Sequence, residues 1–177
     1  MNITKLFNLR FSCQSYKQLE VKDEDIEKIL NDAVLAPSTN NRQPWTFAVI
    51  KNIELKNKIA SMLNDKGNEQ SNKAFIKTAN AIKEAPTLIC VFNKIDESIS
   101  IIQSIGACIE NMLLSATELG LSSLWIRATS CIEKEIEQLL DKEDEHLMAC
   151  ITLGYANELV HEKNRHNVFF FQFCKIK

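Results

Sequence analysis

Apolar positions along this chain switch between a helical and a strand period, and the switches lay out its elements. Residues 3 to 8 read as a short first helix, followed by an irregular stretch. Asp23, Glu24 and Asp25 put negative charge where a helix start is electropositive. Ile26, Ile29, Leu30, Ala33 and Val34 then recur at helical spacing until Pro37 limits the run. The Trp45–Ile50 run is a strand pattern, whereas Leu55 to Leu63 and Lys73 to Lys83 carry helical apolar faces. Pro86 opens the next strand, Thr87 to Phe92. Ile99 to Leu119 is the most apolar helix; Ser104, Gly106, Ala107 and Ser115 would let another helix approach closely, and Gly120 supplies a C-terminal stop. Leu121 to Ile126 reads as a strand, Glu133 to Leu140 as a charged surface helix, and Leu147 to Leu153 as an apolar strand ending at Gly154. The segment Asn167 to Cys174 holds four of the nine phenylalanines. Strands alternating with helices predict an α+β fold with a sheet between helices, and the absence of repeats or linkers predicts one domain over residues 1–177.

Composition narrows the class. A chain of 177 residues, 45% apolar and 25% charged, is long enough to bury a real core and too ordinary for a disordered or disulfide-framework protein. Its 21 basic and 23 acidic residues leave a formal charge of −2 with no basic stripe, which argues against nucleic acid and anionic membrane surfaces as partners. The cysteines at 13, 90, 108, 131, 150 and 174 show no C-x-x-C spacing and are read as reduced. The N-terminus has no apolar signal core, and Gln103, Glu110, Asn111 and Glu118 interrupt the stretch Ile99 to Leu121, so a cytoplasmic protein is expected.

The chemistry is first narrowed by elimination. Four glycines at 67, 106, 120 and 154 make neither the dinucleotide fingerprint nor a P-loop. His146, His161 and His166 lack zinc-type spacing, so no metal is expected, and no G-x-S-x-G elbow occurs. The most informative stretch is Pro37-Ser38-Thr39-Asn40-Asn41-Arg42-Gln43-Pro44-Trp45, in which two of three prolines bracket six polar residues. It is either a connection whose side chains satisfy local backbone groups or a rack of amides and hydroxyls for a planar polar ligand.

Together with that stretch, several segments resemble the FMN-dependent nitroreductase family. Ala36 to Trp45 is similar to its A-P-S-x-x-N-x-Q-P-W, and Arg10 to Tyr16 to its N-terminal R-R-S-x-R-x-F/Y. Gly106 to Leu114 resembles the central-helix G-A-x-x-Q-N-x-L-L, Leu119 to Ile126 the L-G-L-G-S-x-W-I, Leu153-Gly154-Tyr155 the L-G-Y/F, and Lys163-Asn164-Arg165 the closing K-x-R. The resemblance implies an intertwined homodimer with a long central interface helix and FMN at the interface. It implies FMN contacts from Arg10, Ser12, Gln14, Pro37, Ser38, Thr39, Asn41, Gln43, Ile126, Lys163 and Arg165, the phosphate falling to Arg10, Ser12, Lys163 and Arg165. Only four arginines occur, and two of them stand at these phosphate positions. No catalytic side chain is implied, because the reacting atom belongs to the cofactor.

The implied activity passes electrons from NADH or NADPH to a small flat acceptor such as a nitroaromatic or quinone. The alternatives are an FMN-binding storage, sensor or relay protein, and an interaction dimer without FMN. Departures from the family pattern bear on this choice. Phe11 and Gln14 replace two cations of the N-terminal motif, Arg127 stands where a small residue is usual, and the segment from Phe92 to Ser98 is too short for a lid.

Overall fold

The structure, a computed structural model, describes residues 2–94 and 98–157. In chain order it builds α1 (Ile3–Leu9), α2 (Asp23–Ala33), a 3-10 turn (Thr39–Asn41), β1 (Trp45–Ile50), α3 (Ile53–Glu69), α4 (Lys73–Glu84) and β2 (Thr87–Asn93). It continues with α5 (Ile99–Glu118), β3 (Ser122–Ile126), a second 3-10 turn (Ala128–Ile132), α6 (Glu133–Leu139) and β4 (His146–Gly154). The strands form one antiparallel sheet in the order β1-β2-β4-β3. The expected α+β sandwich is what the chain adopts. Lys163, Arg165 and the phenylalanine-rich segment 167–174 lie outside the described residues.

The sheet separates two apolar layers. Ile89 and Val91 of β2 and Ala149 and Ile151 of β4 pack with Ile26 and Ile29 of α2 and with Ile105, Ile109 and Met112 of α5. Leu88, Cys90 and Phe92 alternate to the other side and meet Ile59 and Leu63 of α3, Ile82 of α4 and Ile136 of α6. Because both faces are covered, every residue of β2 is buried, and between Thr87 and Asn93 the strand reads as an unbroken apolar run. The pairing slips between Val91↔Ala149 and Phe92↔Leu147, leaving Met148 as an extra residue in β4. That bulge turns Met148 and Ala149 toward the same layer.

Two features differ from the sequence reading or sharpen it. The apolar pattern predicts a helix over Leu55 to Leu63, but α3 continues to Glu69. Its last turns carry no apolar stripe and are held by close approach to α4, where a Cβ on Gly67 would lie 2.9 Å from Ile76 Cγ1. The stop after α5 falls where Gly120 predicts it: φ is +76° there, and the Leu121 N–H donates to the Ala116 carbonyl at 2.9 Å. By length and mean hydropathy (1.4) α5 could cross a membrane, yet it packs as a core helix, against α2 and the sheet.

Candidate functional site

The polar loop between α2 and β1 is pinned to α5. The Thr39 N–H donates to Ser104 Oγ at 3.1 Å, Thr39 Oγ1 donates to the Ser100 carbonyl at 3.3 Å, and Ser104 Oγ donates to that same carbonyl at 2.7 Å. Inside the loop the Gln43 N–H donates to Ser38 Oγ at 3.0 Å and the Asn41 N–H to the Ser38 carbonyl at 2.9 Å. Asn40, Asn41 and Gln43 have φ of 52°, 54° and 45°. Asparagine tolerates that left-handed region, whereas Gln43 is there at a cost. Pro44 and Trp45 are buried and anchor the far end of the loop. Pro37, Ser38 and Thr39 face Ser100, Gln103, Ser104 and Ala107 across an open cavity of about 250 Å³. Asn41 and Gln43 are exposed and do not line that cavity.

A second group of expected site residues gathers beside β3. Ser12 forms an isolated parallel bridge with Ser123, and the Cys13 N–H donates to the Ser123 carbonyl at 3.0 Å. Ser123 Oγ is buried without a hydrogen-bond partner among the described residues. Arg10 follows α1, its backbone N–H donating to the Leu6 carbonyl, and its guanidinium reaches Glu110 Oε1 of α5 at 4.0 Å. Gln14 is half-buried. Ile126 is buried in the layer under α3 and α6, so only its backbone could meet a ligand, while Arg127 beside it is exposed. Trp125 is 42% exposed, its indole leaning over Gly106, where Trp125 Cη2 would lie 3.8 Å from an added Cβ.

These two groups meet α5 at different turns. At 3.6 residues per turn Glu110 lies within about 20° of Gln103 and about 60° of Ala107 around the axis, and at 1.5 Å per residue it is about 9 Å farther along the helix than Ser104. In one chain the loop carrying Ser38 and Thr39 therefore contacts α5 more than a turn before the position that Arg10 reaches. Sequence reasoning missed Ser100, Gln103 and Ser104 as pocket-lining residues, because small and polar residues in an apolar helix read as packing positions. It also missed Glu110 as the ion-pair partner of Arg10.

The donor types suit a flavin mononucleotide. A guanidinium and a serine hydroxyl two residues away are groups of the kind that can bind phosphate, Ser123 Oγ is a buried polar atom without a partner among the described residues, and the Ser38 loop offers hydroxyl and amide groups at a cavity edge. Cys108 and Cys90 are poor nucleophiles: burial pushes Cys108 up to about 12, and Cys90 rises through its hydrogen bond with Cys150, Sγ to Sγ 3.6 Å, and through burial. Glu133, Glu137 and His146 bring ligand-type atoms within 4.8 Å of one another, the one such grouping among the described residues. There the carboxylate of Glu137 is already engaged by Lys134 at 2.8 Å and by the Leu147 N–H at 3.0 Å.

Comparison with known proteins gives a consistent result. A model of the nitroreductase family matches residues 9–155. A putative NADH dehydrogenase/NAD(P)H nitroreductase of Archaeoglobus fulgidus is 31% identical over 159 residues, covering 87% of this chain and 85% of that protein. The crystal structure of a BluB-like flavoprotein from Clostridium difficile superposes with a TM-score of 0.82 at 28% identity, covering 97% of this chain and all of the other. A nitroreductase with bound FMN from Bacteroides fragilis has the same TM-score at 23% identity, with the same coverage, and shares the fold.

Proposed function

This chain belongs to the nitroreductase family, and from that premise we propose that it is an FMN-dependent oxidoreductase passing electrons from NADH or NADPH to a flat acceptor, a nitroaromatic or a quinone, as a homodimer. The observation that carries the reading is the set of phosphate- and ring-type donors held against α5. Arg10 and Ser12 offer a guanidinium and a hydroxyl near Glu110 and β3, the Ser38 loop offers hydroxyl and amide groups at an earlier turn of the helix, and in the homodimer a second copy would bring its own Ser38 loop to complete the site. The family's residue pattern and the FMN-bound structure of the Bacteroides fragilis relative support FMN as that ligand.

Bound FMN supplies a carrier that takes a hydride from the nicotinamide and gives electrons to the acceptor. The chain's own residues bind, orient and exclude water. Arg10 exchanges the distant carboxylate of Glu110 for the phosphate and, with the Ser12 hydroxyl, holds it by charge-assisted bonds. Lys163 and Arg165 add two further cations at the positions of the closing motif. Ser38, Asn41 and the backbone around Thr39, from the second copy, present hydrogen-bonding groups to the ring edge, with Pro37 and Gln43 shaping the loop. Gln14 donates one neutral hydrogen bond where relatives place a cation, at roughly half the strength. The backbone at Ile126 and the Arg127 that follows close the site on the β3 side. Among the described residues no histidine or carboxylic acid lines the loop cavity, and the acceptor's proton would come from water or from the flavin itself.

The test is the absorption spectrum of protein purified under mild conditions, followed by anaerobic addition of NADH or NADPH. Yellow protein bleached by a nicotinamide and recoloured by a quinone or nitroaromatic is the expected result. Yellow protein that neither nicotinamide bleaches would favour storage or relay, the reading to which the missing cations at Phe11 and Gln14 lend weight. Colourless protein that refuses added FMN would refute the proposal.

A further inference from the structure

We propose that a cavity at the end of β1 remote from the polar loop is a second binding site, for a small organic anion with an apolar body: a carboxylate or a phosphate monoester. The polar loop joins β1 at Trp45, while this cavity lies beyond Ile50, about 17 Å away along the strand. It has a volume of about 280 Å³, and three lysines and one carboxylate line it: Lys51, Lys56, Lys83 and Glu20.

The three ammonium groups are not equivalent. Lys51 is already neutralised, with Glu20 at 2.7 Å and Asp23 at 2.8 Å. Lys83 is exposed and makes no ion pair among the described residues. Lys56 is only 4% exposed, and its Nζ donates to the carbonyls of Ala85 and Pro86. Both are neutral acceptors at the carbonyl end of α4, whose helix dipole favours a cation but supplies only a fraction of a charge. An ammonium has three donors, so one remains for a ligand, and a buried cation without a counter-ion is costly until an anion arrives. Burial holds the Lys56 amine below its usual value, in keeping with that missing charge.

The rim supplies the other half of the ligand's chemistry. Leu19 and Ile53 are 53% and 69% exposed and stand on this same cavity. Ile53 is also the first residue of the 17-residue helix α3, whose electropositive end opens here. Cationic floor and apolar rim together select an anionic head on a hydrophobic body over inorganic phosphate.

The probe is phenyl phosphate, titrated into FMN-loaded protein so that the flavin phosphate site is filled, with the methyl resonances of Leu19 and Ile53 as the readout and inorganic phosphate as comparison. Should the protein take up no FMN, the same resonances still report on this cavity alone. Saturable shifts are expected, with phenyl phosphate at least about tenfold tighter than inorganic phosphate. Lys83→Ala should weaken binding about threefold, and Lys56→Met should abolish it. If Lys56→Met fails to fold, Leu19→Ser takes its place and should erase the preference for the phenyl group. No saturable shift at millimolar probe, equal affinity for both probes, or affinity unchanged in Lys83→Ala and in Lys56→Met or its replacement overturns the proposal.

Discussion

Arg10 reaches the Glu110 carboxylate at 4.0 Å, and in the proposed function that carboxylate competes with the FMN phosphate for it. Arg10→Ala should therefore weaken FMN binding at least about tenfold, while Glu110→Gln, which removes the competitor, should strengthen it. Absorbance titration of apoprotein measures both, and unchanged affinity in Arg10→Ala would remove this residue from the site. Gln14 has a different consequence: Gln14→Lys restores a cation and should raise the flavin reduction potential, so potentiometry without an upward shift would contradict its placement. Gly154 belongs to the L-G-Y match for a steric reason. A Cβ there would lie 2.6 Å from Pro86 Cδ and 3.0 Å from Tyr16 Cδ1. Gly154→Ala should cost about 1–3 kcal/mol of stability by chemical denaturation.

At the level of elements, α5 organises its neighbours through small polar side chains. Ser104→Ala would leave the Thr39 N–H without its acceptor and should cost about 1–2 kcal/mol, with faster amide exchange confined to the loop. Ser115 Oγ donates to Asp32 Oδ2 at 2.6 Å, and Lys28 Nζ does so at 2.8 Å, joining α5 to the end of α2. The Lys28 hydrogen bond, then that of Ser115, holds the Asp32 carboxyl below its ordinary value. A depressed folded value means this contribution is complete above the unfolded carboxyl range and is lost as pH falls through the folded value. Asp32→Asn should thus flatten the acid limb of stability below about pH 4, which denaturation at graded pH would register. The same helix shows where sequence legibility ended. The apolar stripe and Gly120 gave its extent, yet nothing in the pattern distinguishes Ser104 as a hydrogen-bonding partner from Ser104 as a packing gap. The bulge at Met148 was hidden for a related reason, since a strand apolar on both faces has no alternation from which to read register. The last turns of α3 were missed because packing against α4, not local periodicity, makes them helical.

For the whole molecule, the motifs at 36–45, 106–114 and 119–126 announced a fold and a cofactor class, and their order along the chain was readable directly. What a linear pattern cannot express is that the Ser38 loop docks on α5 at Ser100 and Ser104 while Arg10 reaches Glu110 at a later turn, because this depends on how the sheet seats the helix. The homodimer we propose predicts that stability and colour depend on association. Leu35, 77% exposed beside a groove formed with Leu6, Asn111 and Leu114, and Phe7 on α1 are apolar groups a partner would cover. Leu35→Glu should yield monomers in light scattering and release FMN together; monomers that keep their flavin would separate the site from the interface.

The two tryptophans differ in a way that makes the molecule its own optical probe. Trp45 is sealed in the core at 5% exposure and should emit in the blue, out of reach of iodide, whereas half-open Trp125 over Gly106 should emit to the red and be quenched. One emission spectrum thus resolves into a sheltered component that reports unfolding and an accessible one that reports whatever comes to lie against the outer edge of β3.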